Sequence, residues 1–144
     1  MIKTLYKTFR LFSATLVLLS FHKPAYGPPR PYEQDLQWQC LVSAVYHEAR
    51  GEPAKGKRAV LEVVFNRSKR SGKTFCEVVA EKRQFPWMKK KGLVELTPDT
   101  LKHYTEAVTH EQVFKSEKYI YFNSVKPFGV ECLRIHKHTF CKEN

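Results

Sequence analysis

Residues 35–53 read DLQWQCLVSAVYHEARGEP, and the fold turns on how that stretch is understood. Leu36, Cys40, Leu41, Ala44, Val45 and Ala49 recur at helical intervals, and Asp35 stands where an N-cap is needed. The spacing predicts a buried helix over 35–50. Gly51 and Pro53 end it, since glycine is the usual residue past a helix terminus and proline cannot donate the next hydrogen bond.

Toward the C-terminus a second helix fits 54–68, with Ala59, Val60, Val63, Val64 and Arg67 on one face and Lys55, Lys57, Arg58 and Glu62 on much of the other. A polar turn, KRSGKT at 69–74, leads to a short helix marked by Phe75, Val78 and Val79. The run Lys89-Lys90-Lys91-Gly92 reads as a solvated loop. Thr97 as N-cap and Pro98 at the first helical position signal a third long helix through Leu101, Tyr104 and Val108. Tyr119 to Asn123 and Leu133 to Phe140 are β-branched and aromatic in places, so they read as two strands around the turn Lys126-Pro127-Phe128-Gly129. The expected class is helix-rich α+β, a single domain over 35–144 with a short C-terminal β-hairpin.

Toward the N-terminus the prolines of PPRPY at 28–32 oppose helix and central strand, and 28–34 reads as a tether. Residues 1–27 have the form of a signal peptide: a cationic start, the apolar run LFSATLVLLSF from Leu11 to Phe21, then His22, Lys23 and Pro24. That run is too short to span a bilayer, which takes about 20 apolar residues. Ala25-Tyr26-Gly27 supplies small residues for cleavage, although Pro28 fits poorly after the cut, so the boundary is placed between about 20 and 31. The chain is therefore expected in the periplasm or outside the cell, with no stable membrane anchor after cleavage.

The chain holds 25 Lys and Arg against 14 Asp and Glu, and without the four cations of residues 1–27 the remaining 21 still exceed the 14 acids by 7. Such a surface attracts polyanions, whether nucleic acid, anionic lipid or an acidic cell wall. Export also changes the meaning of Cys40, Cys76, Cys132 and Cys141, because an oxidising compartment favours disulfides. Four cysteines allow three pairings. A competing reading takes Cys132, His136, His138 and Cys141 as zinc ligands, but C-x3-H-x-H-x2-C matches no standard finger, and no metal or cofactor is expected.

Chemistry concentrates in Tyr46 to Pro53, where an apolar helix delivers Glu48 into its own last turn. Free carbonyls at a helix C-terminus and partial burial both disfavour an anion, and a glutamate held protonated near neutral pH is a general acid of the kind glycosidic cleavage needs. The bland alternative pairs Glu48 with Arg50 or Lys55 at the surface. Glu52 shares a face with Glu48 only if the helix ran on through Gly51, so it reads as bracing the loop more readily than as a second catalytic carboxylate. His47 is either a base or a polar residue beside free carbonyls.

A resemblance decides between these readings. C-L-x4-Y-H-E-A-R-G-E-P-x2-G-x2-A-V-x2-V-x-N-R runs from Cys40 to Arg67, followed by F-C-E-V-V at 75–79, Q-F-P-W at 84–87, Y-F-N at 121–123 and H-T-F at 138–140. In this order the segments resemble the cell-wall hydrolase family of the spore cortex-lytic enzymes, which occurs also in phage and Gram-negative proteins. The resemblance implies a lysozyme-like fold acting on the N-acetylmuramic acid–N-acetylglucosamine bond of peptidoglycan, with Glu48 as general acid/base. It also implies a lytic transglycosylase, in which the muramoyl 6-hydroxyl attacks the anomeric carbon and no second carboxylate is required. Asn66, Gln84, Tyr121 and His138 match the family pattern and are candidates for lining the sugar cleft, with Glu52 and Trp87 as further substrate contacts. Against these stand structural roles: Asn66 as a helix cap, Gln84 fixing a loop, Tyr121 in the core, His138 in a buried network, and Trp87 among apolar neighbours. Pro86 stands where the family often has serine, and Ile135-His136-Lys137 replaces a glycine-containing approach to the last histidine, so the cleft floor is expected to differ.

The pairing expected is Cys40 with Cys76 and Cys132 with Cys141. The second needs a reversal near His136-Lys137, because a straight strand would hold its ends roughly 30 Å apart at ~3.3 Å per residue. The partner expected is a glycan strand, bound by a monomer. Three other readings remain: a hydrolytic muramidase of the same fold, a secreted basic nucleic-acid-binding protein or nuclease using His136, His138 and Asn66, and a non-catalytic wall-binding domain that kept the fold. The second is opposed by the dispersal of the cations and the lack of a basic element with stacking aromatics.

Overall fold

In a computed structural model, residues 31–124 and 128–144 are described; the signal-peptide segment, tether residues 28–30 and Lys126-Pro127 of the expected turn lie outside them. The decisive stretch forms α1, Pro31–Ala49. It starts upstream of the expected Asp35 cap, so 31–34 are helix and not tether. Proline in a first helical turn costs nothing there, since that turn's N–H groups have no intrahelical acceptor. Cys40 to Val45 are buried without a break, so α1 runs through the core and keeps no solvent face along that stretch.

α2, Ala54–Ser71, ends on Gly72 in the left-handed conformation (φ 69°), three residues later than expected. It packs on α1, α5 and the sheet. Lys57 and Glu62, expected on its outer face, are both buried. Each is held by a partner: Lys57 by Glu106, and Glu62 by Arg58 Nε at 2.7 Å and by the Val113 and Phe114 amides at 2.9 Å. α3, Phe75–Ala80, opens with a Thr74–Glu77 capping box. α4, Trp87–Lys91, is a one-turn helix, so the lysine run is not a loop but the end of a helix stopped at Gly92. α5, Pro98–Thr109, has the expected Thr97 cap.

β1, Tyr119–Asn123, is as expected, but the second expected strand is two: β2, Val130–Ile135, and β3, His138–Lys142. His136 and Lys137 form the reversal, and the antiparallel order is β1-β3-β2. The C-terminal element is thus a three-stranded sheet where a hairpin was expected. The turn carries no Asn-Gly signal; His136 takes the left-handed conformation itself (φ 48°). Central β3 buries His138, Phe140 and Cys141, while β2 is an edge exposed except at Ile135.

Disulfides join Cys40 to Cys76, tying α1 to α3, and Cys132 to Cys141, tying β2 to β3. Both expected pairs form. Cys132 and Cys141 are spent on each other and are not metal ligands. No helix among the described residues is long and apolar enough to cross a membrane.

Candidate active site

Where α1 ends, its last turn opens onto a cavity of about 190 Å³. Glu48 forms one wall, Arg83, Gln84 and Pro86 of the α3–α4 connection another, and Phe122, Asn123, Ser124 and His138 the sheet side. The carboxyl sits high in its titration range. Burial pushes the pKa up, and an attraction to the Trp87 indole N–H and then the Arg67 guanidinium pull partly back. Burial is thus the dominant of the two causes that the sequence suggested.

Arg67 comes from the apolar face of α2. Its Nε donates to the Ile120 carbonyl at 2.6 Å, and its guanidinium lies over Phe85 and Phe122 at 5.5 and 5.9 Å. Burial lowers its pKa to about 10, so it remains a cation. Among the described residues its Nη1 is buried without a hydrogen-bond partner. A cation with spare donor capacity therefore acts on the Glu48 carboxyl through its charge. An arginine in line with Ala59, Val60, Val63 and Val64 was the signal that could have marked it.

Three of the expected site residues, Glu48, Gln84 and His138, come together in this cavity. Four do not line it. Trp87 is 7% exposed, its ring stacked on His47 at 4.5 Å, so its face is not open to a sugar. Its Nε1 is buried and, among the described residues, has no hydrogen-bond partner, yet the indole N–H still lowers the Glu48 pKa. Asn66 neither lines the cleft nor caps α2: its amide donates to the Tyr119 carbonyl at 2.9 Å, pinning β1 to α2. Tyr121 lines a separate depression, with Phe128 and Gly129, and its hydroxyl reaches Glu143 at 3.4 Å. Along β1 it is the neighbours Phe122 and Asn123 that enter the cavity. Pro86, where the sequence departs from the family pattern, does form part of the wall.

Glu52 lies behind the cavity. Its amide closes the turn after α1 onto the Ala49 carbonyl at 2.9 Å, and its carboxylate turns to the β2–β3 reversal. There His136 Nδ1 lies at 3.0 Å and the Lys137 amide at 3.4 Å from Oε2, with His138 Nδ1 at 3.8 Å from Oε1. Gly56 leaves it room: a Cβ at that position would sit 2.9 Å from Glu52 Cβ. Glu48 and Glu52 thus diverge because α1 stops at Ala49. His47 packs in the core on Trp87, and burial lowers its pKa. Among the described residues no group of three or more His, Cys, Asp or Glu is arranged to hold a metal ion.

A helix-rich α+β domain with an acid-lined cavity is compatible with several activities, and the comparison with known families selects one class. The family model for Cell Wall Hydrolase matches residues 51–141. The chain belongs to the cell wall hydrolase family, enzymes that act on peptidoglycan. The match takes in Glu52, Gln84 and His138 and begins three residues after Glu48. No curated protein and no solved structure matches the chain.

Proposed function

We propose that the chain is a peptidoglycan lytic transglycosylase that cuts the N-acetylmuramic acid–N-acetylglucosamine bond, with Glu48 as general acid/base. The observation that carries this is the raised pKa of a carboxyl that opens onto the cavity at the end of α1. A protonated Glu48 donates to the glycosidic oxygen as the C1–O bond breaks, and the carboxylate left behind stabilises the oxocarbenium-like centre. Among the described residues Glu48 is the only carboxylate lining the cavity, which supports intramolecular attack by the muramoyl 6-hydroxyl over a carboxylate nucleophile. Gln84 and Asn123 offer polar edges for sugar hydroxyls, and Phe122 an apolar face. Residues 1–27 act as the export signal, and the monomeric domain works in the periplasm or outside the cell; two disulfides suit such a compartment.

Mass spectrometry of muropeptides released from purified walls tests the reading. It expects 1,6-anhydromuramic ends with wild type and no release with Glu48→Gln; reducing muramic ends alone would replace it with the hydrolytic muramidase.

A further inference from the structure

Asn66 and Tyr121 do not line the Glu48 cavity, yet both line a second feature of the surface. Three depressions of about 330, 250 and 150 Å³ run into one another, the first two sharing Arg70 and Lys118 and the last two sharing Glu143. The largest alone reaches the size of small-ligand sites, ~300–1,000 Å³. The trough they form shares no lining residue with the Glu48 cavity. At its Tyr121 end it lies across β1 from that cavity, because neighbours on a strand point to opposite faces and it is Phe122 that enters the cavity.

One end of the trough is aromatic. Phe128 is 68% exposed, more than any other large apolar residue among those described. Scattered exposed apolar side chains are ordinary, but this one is held in place. Its ring meets that of Tyr121 at 4.9 Å and 86°, and the Tyr121 hydroxyl reaches Glu143 at 3.4 Å. Gly129 makes the approach possible: its φ is 112°, and a Cβ there would stand 2.2 Å from the Lys142 carbonyl oxygen. Only glycine fits so close to β3, and the ring next to it is thereby presented to water.

The other end is cationic. Lys69 and Arg70 lie in the last turn of α2 and Lys118 immediately precedes β1, and all three line the trough. Lys69 pairs with Glu117 and Arg70 with Glu143. Both pairs are open to water, where an ion pair contributes little, so a ligand carboxylate can replace the resident one at small cost. Lys118 has no ion-pair partner among the described residues.

An apolar plate followed by a carboxylate-binding end suits a sugar that carries an acid. A sugar ring lays its C–H face on an aromatic ring and turns its hydroxyls to polar neighbours, here the Tyr121 hydroxyl and Glu143. Peptidoglycan, on which the family acts, has both parts, a glycan strand and peptide stems with free carboxylates.

We propose that the trough from Phe128 to Lys118 is a second peptidoglycan-binding site, in which a glycan ring stacks on Phe128 and a carboxylate of the peptide stem is held by Arg70 and Lys118. The inference rests on peptidoglycan as the substrate and not on which residue cuts it. Two sites on one wall raise the effective concentration of glycan at the Glu48 cavity, so the trough retains the domain on the wall between cuts.

The test is isothermal titration of uncrosslinked glycan strands free of phosphate polymers, with and without their peptide stems, into the Glu48→Gln protein and its Phe128→Ala and Lys118→Ala derivatives. Both residues are exposed, so melting temperatures should match the parent, which is checked first. Phe128→Ala should weaken binding of both strands about tenfold. Lys118→Ala should weaken the stem-bearing strand about threefold and leave the bare strand unaltered, and added salt should erase that difference. Unchanged affinity in Phe128→Ala overturns the site. Lys118→Ala weakening both strands alike would reflect general charge attraction and overturns the stem contact. A strand found cut after titration counts against Glu48 as the acid and leaves the trough standing.

Discussion

A carboxyl withdrawn from water, with an indole N–H and a guanidinium beside it, is held between two protonation states. For Glu48 burial wins, and its folded pKa lies above the unfolded value. The stability that this group contributes is then complete below the unfolded pKa and is lost as pH rises through the folded one. Glu48→Gln is isosteric and cannot ionise, so its melting temperature should match wild type in acid and exceed it increasingly toward alkaline pH. Thermal melts across pH check this, and a variant less stable than wild type at alkaline pH contradicts it. The same substitution should lower wall-lysis rates by ~10²-fold or more, and wild-type activity should fall as pH rises through the Glu48 pKa. Opposite signs in stability and activity are the signature of a group kept for chemistry at the expense of the fold.

At the scale of elements, the stop of α1, the start of α5 and the disulfide pairs were legible, while the start of α1, the end of α2 and the hydrogen-bond partners across the fold were not. Thr97-Pro98 announces α5 because a cap is a local hydrogen bond, whereas the Thr74 cap of α3 went unread within the polar turn at 69–74. The divergence of Glu48 from Glu52 was legible too, since Gly51-Glu52-Pro53 stops the helix whatever surrounds it. By contrast, Leu133 to Phe140 looks like one strand because no turn residue between 133 and 140 marks a reversal, and only the expected Cys132–Cys141 pair required one near His136-Lys137; in the structure that bridge and Glu52 from another element hold it. Asn66, Tyr121 and Trp87 were misplaced for one reason. A motif shows that a residue matters, and only the packing shows which surface it serves. Glu62 shows the same limit, reading as an outward charge yet anchoring the α5–β1 connection through the Val113 and Phe114 amides. Glu62→Ala would strand two amides and Arg58, and should cost about 3 kcal/mol, measured by denaturant unfolding. Gly56→Ala tests the close approach of α2 to Glu52: the added methyl must push Glu52 away from the histidines. It should reduce lysis by about tenfold while costing only ~1 kcal/mol of stability, since alanine is the better helix former.

For the molecule as a whole, the two disulfides divide stability from function. Cys40–Cys76 closes 36 residues and, in the chain-entropy picture, contributes ~4 kcal/mol; Cys132–Cys141 closes 9 and contributes ~2.5 kcal/mol. Position reverses the order for activity. The long bridge joins the middle of α1 to α3, roughly two helical turns before Glu48, whereas the short one holds β2 on β3 around the turn that carries His136 and leads into His138. Edge strand β2 is mostly exposed, so its attachment depends on ladder bonds and the bridge more than on burial. Paired substitution to serine separates the two effects. Cys40→Ser with Cys76→Ser should lower the denaturant midpoint more and keep near-normal kcat in whatever fraction remains folded. Cys132→Ser with Cys141→Ser should lower it less, yet lose about tenfold in kcat as the Glu52–His138 geometry loosens. Measuring unfolding and wall lysis on both pairs checks the crossover, and equal activity losses would mean that the hairpin is held in place by packing alone.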